Sequence, residues 1–249
     1  MIQACDALTY IPIQKKISKK VPVFYNPIMK TNRDISILLL NAIKRNNLQI
    51  SLPLSGTGIR GIRFLLELNK DKIKHIYFND YSDKATALIK KNIKKNKLST
   101  KNISISTKDA NLFILDSKGF DYIDIDPFGT PNPFLDSAMR RLSRKSILAV
   151  TATDTSALCG SYPQSCLRKY WAKHQTNSMM HELGLRILIR KAQLVASQYD
   201  KALTPIFSYS KDHYMRVFFN CEKSKEATNK ILKQHDFFNN YGPLWVGEL

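Results

Sequence analysis

Two hydrophobic periods alternate along this chain. From Asn32 the apolar residues Ile35, Leu38, Leu39, Ala42 and Ile43 recur at steps of three and four, which predicts an amphipathic helix behind an asparagine cap. Leu48–Leu54 is short, apolar and strand-like, and it breaks at Ser55-Gly56-Thr57-Gly58. A second helical stripe follows through Ile62, Leu65, Leu66 and Leu68. The apolar run His75–Phe78 closes on Asn79-Asp80. The helix predicted over Ser82–Lys95 then buries Ala85, Leu88, Ile89 and Ile93 and turns its lysines outward. Strand-like runs lie at Ile103–Ser106, Tyr122–Ile125 and Ile147–Ala152, with a helix around Pro133–Leu142 between the last two.

Strands alternating with helices at this spacing predict a parallel sheet covered on both faces. The final third differs. A helical stretch, His174–Ser197, leads to strand-like runs Ala202–Ser210 and His213–Asn220, joined by Lys211-Asp212 as an antiparallel hairpin. The predicted architecture is α/β: a Rossmann-like class I methyltransferase, with a mainly parallel central sheet ending in an antiparallel hairpin and helices on both faces. Residues 47–220 would form this domain, and residues 1–46 a segment and helix folding over it as a cofactor and substrate lid.

Charge changes the picture. Lys+Arg number 39 against 20 Asp+Glu, a net charge of +19, which calls for a polyanionic partner unless the lysines merely solvate helix faces. Three groups are candidate phosphate binders: Lys15–Lys20; Lys90, Lys91, Lys94, Lys95 and Lys97; and Arg140, Arg141, Arg144 and Lys145. The four cysteines, Cys5, Cys159, Cys166 and Cys221, form no CxxC pair and read as reduced thiols of a cytoplasmic protein. Lysines interrupt residues 1–20, which therefore lack a signal-peptide core, and no apolar run approaches the roughly 20 residues that span a bilayer. No membrane partner is expected.

In open α/β sheets, ligands bind beyond the carboxyl ends of the strands. The glycines of Ser55-Gly56-Thr57-Gly58-Ile59-Arg60-Gly61 permit a tight turn and close approach to a ligand, although any strand-to-helix turn can use them. Asp80, about 20 residues on, is placed to accept both hydroxyls of a ribose; its alternative is a helix cap. Asp109-Ala110 follows the third strand, where an adenine would lie. These features describe an adenosine-binding edge and do not separate a methyltransferase from a nicotinamide enzyme.

Asp124-Ile125-Asp126-Pro127-Phe128-Gly129-Thr130-Pro131 separates them. The exocyclic amine of a nucleobase is a poor nucleophile, because its lone pair is delocalised into the ring. A fixed carboxylate can hold the N–H, align the lone pair and stabilise the developing positive charge. Pro127 would rigidify the turn, and Phe128 would offer a face to a flipped base. A plain Asp-Pro turn is the alternative. The segment around Phe24-Tyr25-Asn26-Pro27 and Asn32-Arg33-Asp34 would fold over the cofactor as a lid, with Arg33 reaching the carboxylate of a cofactor that carries a methionine moiety. His181 reads as a helix-surface residue, Cys159 and Cys166 as buried thiols, and Met179, Met180 and Trp171 as core.

Taken together, FYNPIMKTNRD (24–34), LSGTGIRGIRF (54–64), FNDYS (78–82), DAN (109–111), DIDPFGTPNPFLDSA (124–138), TATDTSALCG (151–160), HELGLRILI (181–189) and GPLWVGEL (242–249) closely resemble the archaeal and eukaryotic tRNA guanine-26 N(2)-dimethyltransferase family. The resemblance implies transfer of one or two methyl groups from S-adenosylmethionine to guanine 26 of tRNA. It implies cofactor contacts at Arg33, Arg60, Asp80 and Ala110 with Tyr81 and Asp109 nearby, Asp126 as catalytic carboxylate flanked by Pro127 and Phe128, and Phe24 as a second aromatic beside the guanine.

Three departures qualify it. Pro53 stands where the family has an acid, which would remove a cofactor contact or a supporting hydrogen bond. The paired CxxC ligands of many relatives are missing, so no structural zinc is expected. The chain stops at GPLWVGEL, where the family continues into a tRNA-gripping C-terminal domain. Residues 221–249 are then the remnant of a link, and a separate chain supplying that domain joins tRNA as an expected partner. Two rival readings remain: an amino-methyltransferase for another nucleobase, and a non-catalytic tRNA-binding protein.

Overall fold

The structure, a computed structural model, describes residues 2–4, 7–10, 23, 25–174 and 176–235. The chain divides into two compact units, residues 1–124 and 125–249. In the first, a short antiparallel hairpin, β1 (Ile2–Ala4) and β2 (Ala7–Thr9), precedes α1 (Lys30–Ala42). There follow β3 (Leu48–Leu52), α2 (Ile59–Glu67), β4 (Ile73–Asp80), α3 (Asp83–Lys95), β5 (Ile103–Thr107), α4 (Ala110–Leu115) and β6 (Phe120–Ile125), whose last residue crosses the boundary. β4 and β6 flank β3, β5 flanks β4, and all these pairings are parallel, as the alternation predicts. The second unit holds α5 (Asn132–Arg141), β7 (Leu142–Ala152), α6 (Thr155–Leu158), α7 (Pro163–Tyr170), α8 (Met180–Ser197), β8 (Lys201–Lys211), β9 (Tyr214–Lys223) and α9 (Lys225–Leu232). β9 pairs antiparallel with both β7 and β8.

The structure moves several predicted features. On α1 the buried face is Asn32, Arg33, Ser36, Ile37 and Leu40, while Leu38 is 68% exposed. The apolar stripe misled because polar side chains on the inner face find partners there; Ser36 Oγ donates to the Asn32 carbonyl at 2.7 Å. The capping asparagine is Asn26, which accepts from Ile28 N at the head of a 3-10 turn, Pro27–Met29, ahead of α1. α8 begins six residues after His174, and the hairpin turns at Asp212-His213, with Asp212 at φ +50°. Trp171 and Met179 are half exposed rather than core. The short helices α4, α6, α7 and α9 lack a long enough stripe to announce themselves.

Two buried lysines close helix ends. Lys72 donates to the carbonyls of Ile43 and Arg45 just beyond α1, and Lys201 to those of Met139 and Leu142 at the end of α5. At α5 the Met139 carbonyl, in the last turn, thereby gains a charged donor, and at α1 the donor holds the chain as it leaves the helix.

The first unit packs tightly behind the glycine turn. A Cβ at Gly61 would lie 2.3 Å from Phe78 Cε1 and 2.6 Å from Leu52 Cδ1, both buried. Gly61→Ala is therefore expected to cost about 3 kcal/mol by overpacking, read from the denaturant midpoint; an unchanged midpoint would show that α2 shifts freely.

Candidate functional site

Asn79, fully buried at the end of β4, ties together the loops that follow three strands. Its Nδ2 donates to the carbonyls of Pro53 and Lys108, both at 3.0 Å, and its Oδ1 accepts from Ser106 Oγ at 2.8 Å and Lys108 N at 3.1 Å. Asn79 was visible in the sequence only as Asp80's neighbour. The backbone carbonyl of Pro53 is thus a structural acceptor.

Beside this tie, Asp80 Oδ2 accepts from Gly56 N at 2.8 Å and Oδ1 from Ser82 N at 3.0 Å. The carboxylate thus fixes the glycine turn and the turn that leads into α3, whose N-cap position is Ser82, so Asp80 does not cap the helix itself and its remaining lone pairs are open to a ligand. Gly58 sits at φ +77°, a conformation that favours glycine. Tyr81, next in the chain, is 82% exposed. Asp109 is the N-cap of α4, its Oδ1 accepting from Asn111 N and Leu112 N; Ala110 is buried and Leu112 is exposed.

Arg60, on the first turn of α2, donates to Ser36 Oγ at 3.0 Å and lies 3.6 Å from Asp124 Oδ2. Asp124, buried at the end of β6, accepts from Tyr122 Oη at 2.7 Å. The first acid of Asp124-Ile125-Asp126 therefore orients an arginine, a role the sequence reading did not assign. Arg33 is buried on α1, donates to the Asn26 carbonyl at 3.3 Å and lies 5.4 Å from the Tyr25 ring centroid. Phe24 lies outside the described residues, as do Cys5, Lys15–Lys20 and GPLWVGEL.

In the second unit Pro127 is buried, Asp126 is half buried and the Phe128 ring is 41% exposed. The turn is held at two points. Gly129 N donates to Thr153 Oγ1 at 2.6 Å, and Thr153 N donates back to the Gly129 carbonyl at 2.9 Å. Thr153 lies in the motif TATDTSALCG, and only its place after a strand hinted at this clasp. Burial pushes Tyr214 above the ordinary phenol range, and the charge of Asp126 adds to the effect. Next to Thr153, Asp154 accepts from Tyr170 Oη at 2.6 Å and Lys169 Nζ at 3.1 Å.

The candidate phosphate binders divide. Lys91 and Lys95 stand 4.3 and 5.9 Å from the Tyr10 ring centroid, and Arg140 pairs with Asp136. Lys90, Lys94, Lys97, Arg144 and Lys145 are exposed. Cys159, Cys166 and Cys221 are buried free thiols, and burial raises the pKa of each, that of Cys166 to about 11. Exposed His181 has Nδ1 3.5 Å from Cys159 Sγ. Among the described residues no three His, Cys, Asp or Glu side chains gather to hold a metal ion, and no helix is long and apolar enough to cross a membrane.

A family model described as N2,N2-dimethylguanosine tRNA methyltransferase matches residues 6–241. The chain is 39% identical to the tRNA (guanine(26)-N(2)/guanine(27)-N(2))-dimethyltransferase of Aquifex aeolicus, covering 100% of this chain and 72% of that one. It is 43% identical to the tRNA (guanine(26)-N(2))-dimethyltransferase of Methanobrevibacter smithii, covering 98% and 71%. The solved structure of Trm1 from Pyrococcus horikoshii with S-adenosyl-L-methionine superposes with a TM-score of 0.86 at 36% identity, covering 99% of this chain and 73% of that one.

Proposed function

The chain belongs to the N2,N2-dimethylguanosine tRNA methyltransferase family, and from that premise we propose that it transfers methyl groups from S-adenosylmethionine to the exocyclic N(2) amine of guanine 26 in tRNA. The fold is the Rossmann-like class I methyltransferase fold. The observation that carries the reaction onto named residues is the clasped turn, in which Asp126 is half buried and the Phe128 ring is half exposed.

The donor set of the first unit suits the cofactor. Arg33 and Arg60 are cations for a carboxylate, Asp80 keeps acceptor capacity for ribose hydroxyls, and Asp109 does so for an adenine amine. Tyr81 and Leu112 are exposed, with apolar surface that the rings could use. When bound, the cofactor supplies an electrophilic methyl on a sulfonium. Everything else falls to the chain. Ser36 and Asp124 orient Arg60, and Asn79 fixes the loops on which Asp80 and Asp109 stand.

Asp126 accepts the N–H of the guanine amine, holds its lone pair in line, stabilises the positive charge that grows on nitrogen and takes the proton that the nitrogen gives up once it carries the methyl. Phe128 stacks on the base, which must leave its neighbours to reach the turn. Thr153 is a positioning residue. Thr153→Val is expected to lower kcat about thirtyfold with little change in KM for the cofactor, while Thr153→Ser restores it; equal losses in both variants would sink the assignment.

Nucleoside mass spectrometry tests the function. An unmodified tRNA transcript incubated with the cofactor and this chain should yield dimethylguanosine, and a transcript with adenine at position 26 should yield almost none. Equal product from both would move the reaction to another guanine.

A further inference from the structure

Two cations follow one another on α8 with no carboxylate paired to either among the described residues. Arg190 and Lys191 are each 5% exposed. Arg190 donates to the Trp171 carbonyl at 3.2 Å, and its buried Nε meets no acceptor. The Lys191 ammonium lies against the Trp171 ring, 2.8 Å from its centroid. Among the described residues neither cation forms an ion pair, although a buried charge is costly unless paired. Burial accordingly depresses Arg190 and takes Lys191 down to about 8, with repulsion from Arg190 adding to the shift. His235, hydrogen-bonded to Gln193 at 2.7 Å, brings no negative charge.

The third member is itself strained. Trp171 closes α7 at φ +56°, in the left-handed region where a bulky side chain is unfavourable, and it stands 47% exposed. An outlying backbone, an exposed indole and two buried cations that form no ion pair among the described residues thus meet at one place. Packing alone would favour a glycine at 171 and apolar side chains at 190 and 191.

We propose that Trp171, backed by Arg190 and Lys191, is a stacking platform for an unpaired nucleotide of the RNA substrate. The outer face of the indole takes a base, a contact tolerant of sequence because every base has a π-face. The cations behind the ring supply a positive field that no carboxylate among the described residues pairs with, and the phosphodiester beside the stacked base is its complement. The platform lies outside the clasped turn and rests on the reading of tRNA as substrate.

Binding of a fluorescent tRNA transcript tests it. Lys191→Met is expected to weaken affinity about tenfold and to flatten the dependence of log Kd on log salt, with unchanged cofactor affinity and equal or higher thermal stability. Trp171→Gly is expected to weaken binding by a similar factor without unfolding the chain, and Lys191→Arg to retain most of it. With Trp245→Phe leaving Trp171 as the sole tryptophan, indole emission should be quenched by tRNA and not by inorganic phosphate, a readout independent of how Lys191→Met folds.

Unquenched emission together with wild-type affinity in Lys191→Met would overturn the platform, while dimethylguanosine formation would leave the methyltransferase reading standing. Quenching without dimethylguanosine would support the platform and refute the proposed reaction.

Discussion

Asp126→Ala is expected to lower kcat for dimethylguanosine formation about a thousandfold, while cofactor and tRNA still bind. The guanine amine donates its lone pair to its own ring, so the barrier lies in localising that pair and in tolerating positive charge on nitrogen. One fixed carboxylate does both, and losing such a group costs on the order of 100- to 10,000-fold. Asp126→Asn separates the two tasks. It retains an acceptor for the N–H but loses the charge, so it should fall between wild type and alanine. Single-turnover methyl transfer is the measurement, because product release cannot mask the chemical step there. A rate for Asp126→Ala within threefold of wild type would reduce the turn to an ordinary loop.

Asp80→Ala is expected to weaken S-adenosylmethionine binding on the order of a hundredfold, since hydrogen bonds to a charged acceptor contribute about 1.5–3 kcal/mol each. Calorimetry with the cofactor measures this. The same carboxylate holds Gly56 N and Ser82 N, so a loosened glycine turn would also weaken binding. A cofactor analogue lacking the ribose hydroxyls distinguishes the causes. If Asp80 grips those hydroxyls, the wild type prefers the natural cofactor strongly and Asp80→Ala loses the preference. If Asp80 only shapes the turn, both ligands weaken alike.

The periodic elements of the fold were legible because burial of an apolar face dictates them. β3, β4, β5 and β6 fall where the runs ending at Leu54, Phe78, Ser106 and Ile125 predict them, and the terminal hairpin is one residue out of place. What the pattern hid is polar burial. Nothing in hydropathy marks Asn32 and Arg33 as the inner face of α1, and the partner of Arg33, the Asn26 carbonyl, lies outside the helix. The site divides the same way. Glycines, Asp80 and the acid-proline-aromatic turn are local signatures, visible in a few consecutive residues. Asn79, Asp124 and Thr153 act through contacts 24 to 29 residues away or through a neighbouring helix, and a linear reading has no term for those. Trp171 misled for a related reason: size suggested core, whereas its backbone conformation holds it half outside.

The lysines that close helix ends give each compact unit its own reporter of opening. Lys72 belongs to the first and Lys201 to the second, and both ammoniums are held on main-chain carbonyls inside the protein. An amine-specific label reaches them only when the surrounding packing opens, so their labelling rates follow local unfolding equilibria. Rates that fall together in rising concentrations of stabilising cofactor would mark one cooperative transition. Protection of Lys72 alone would show that the two halves of the chain unfold on separate schedules.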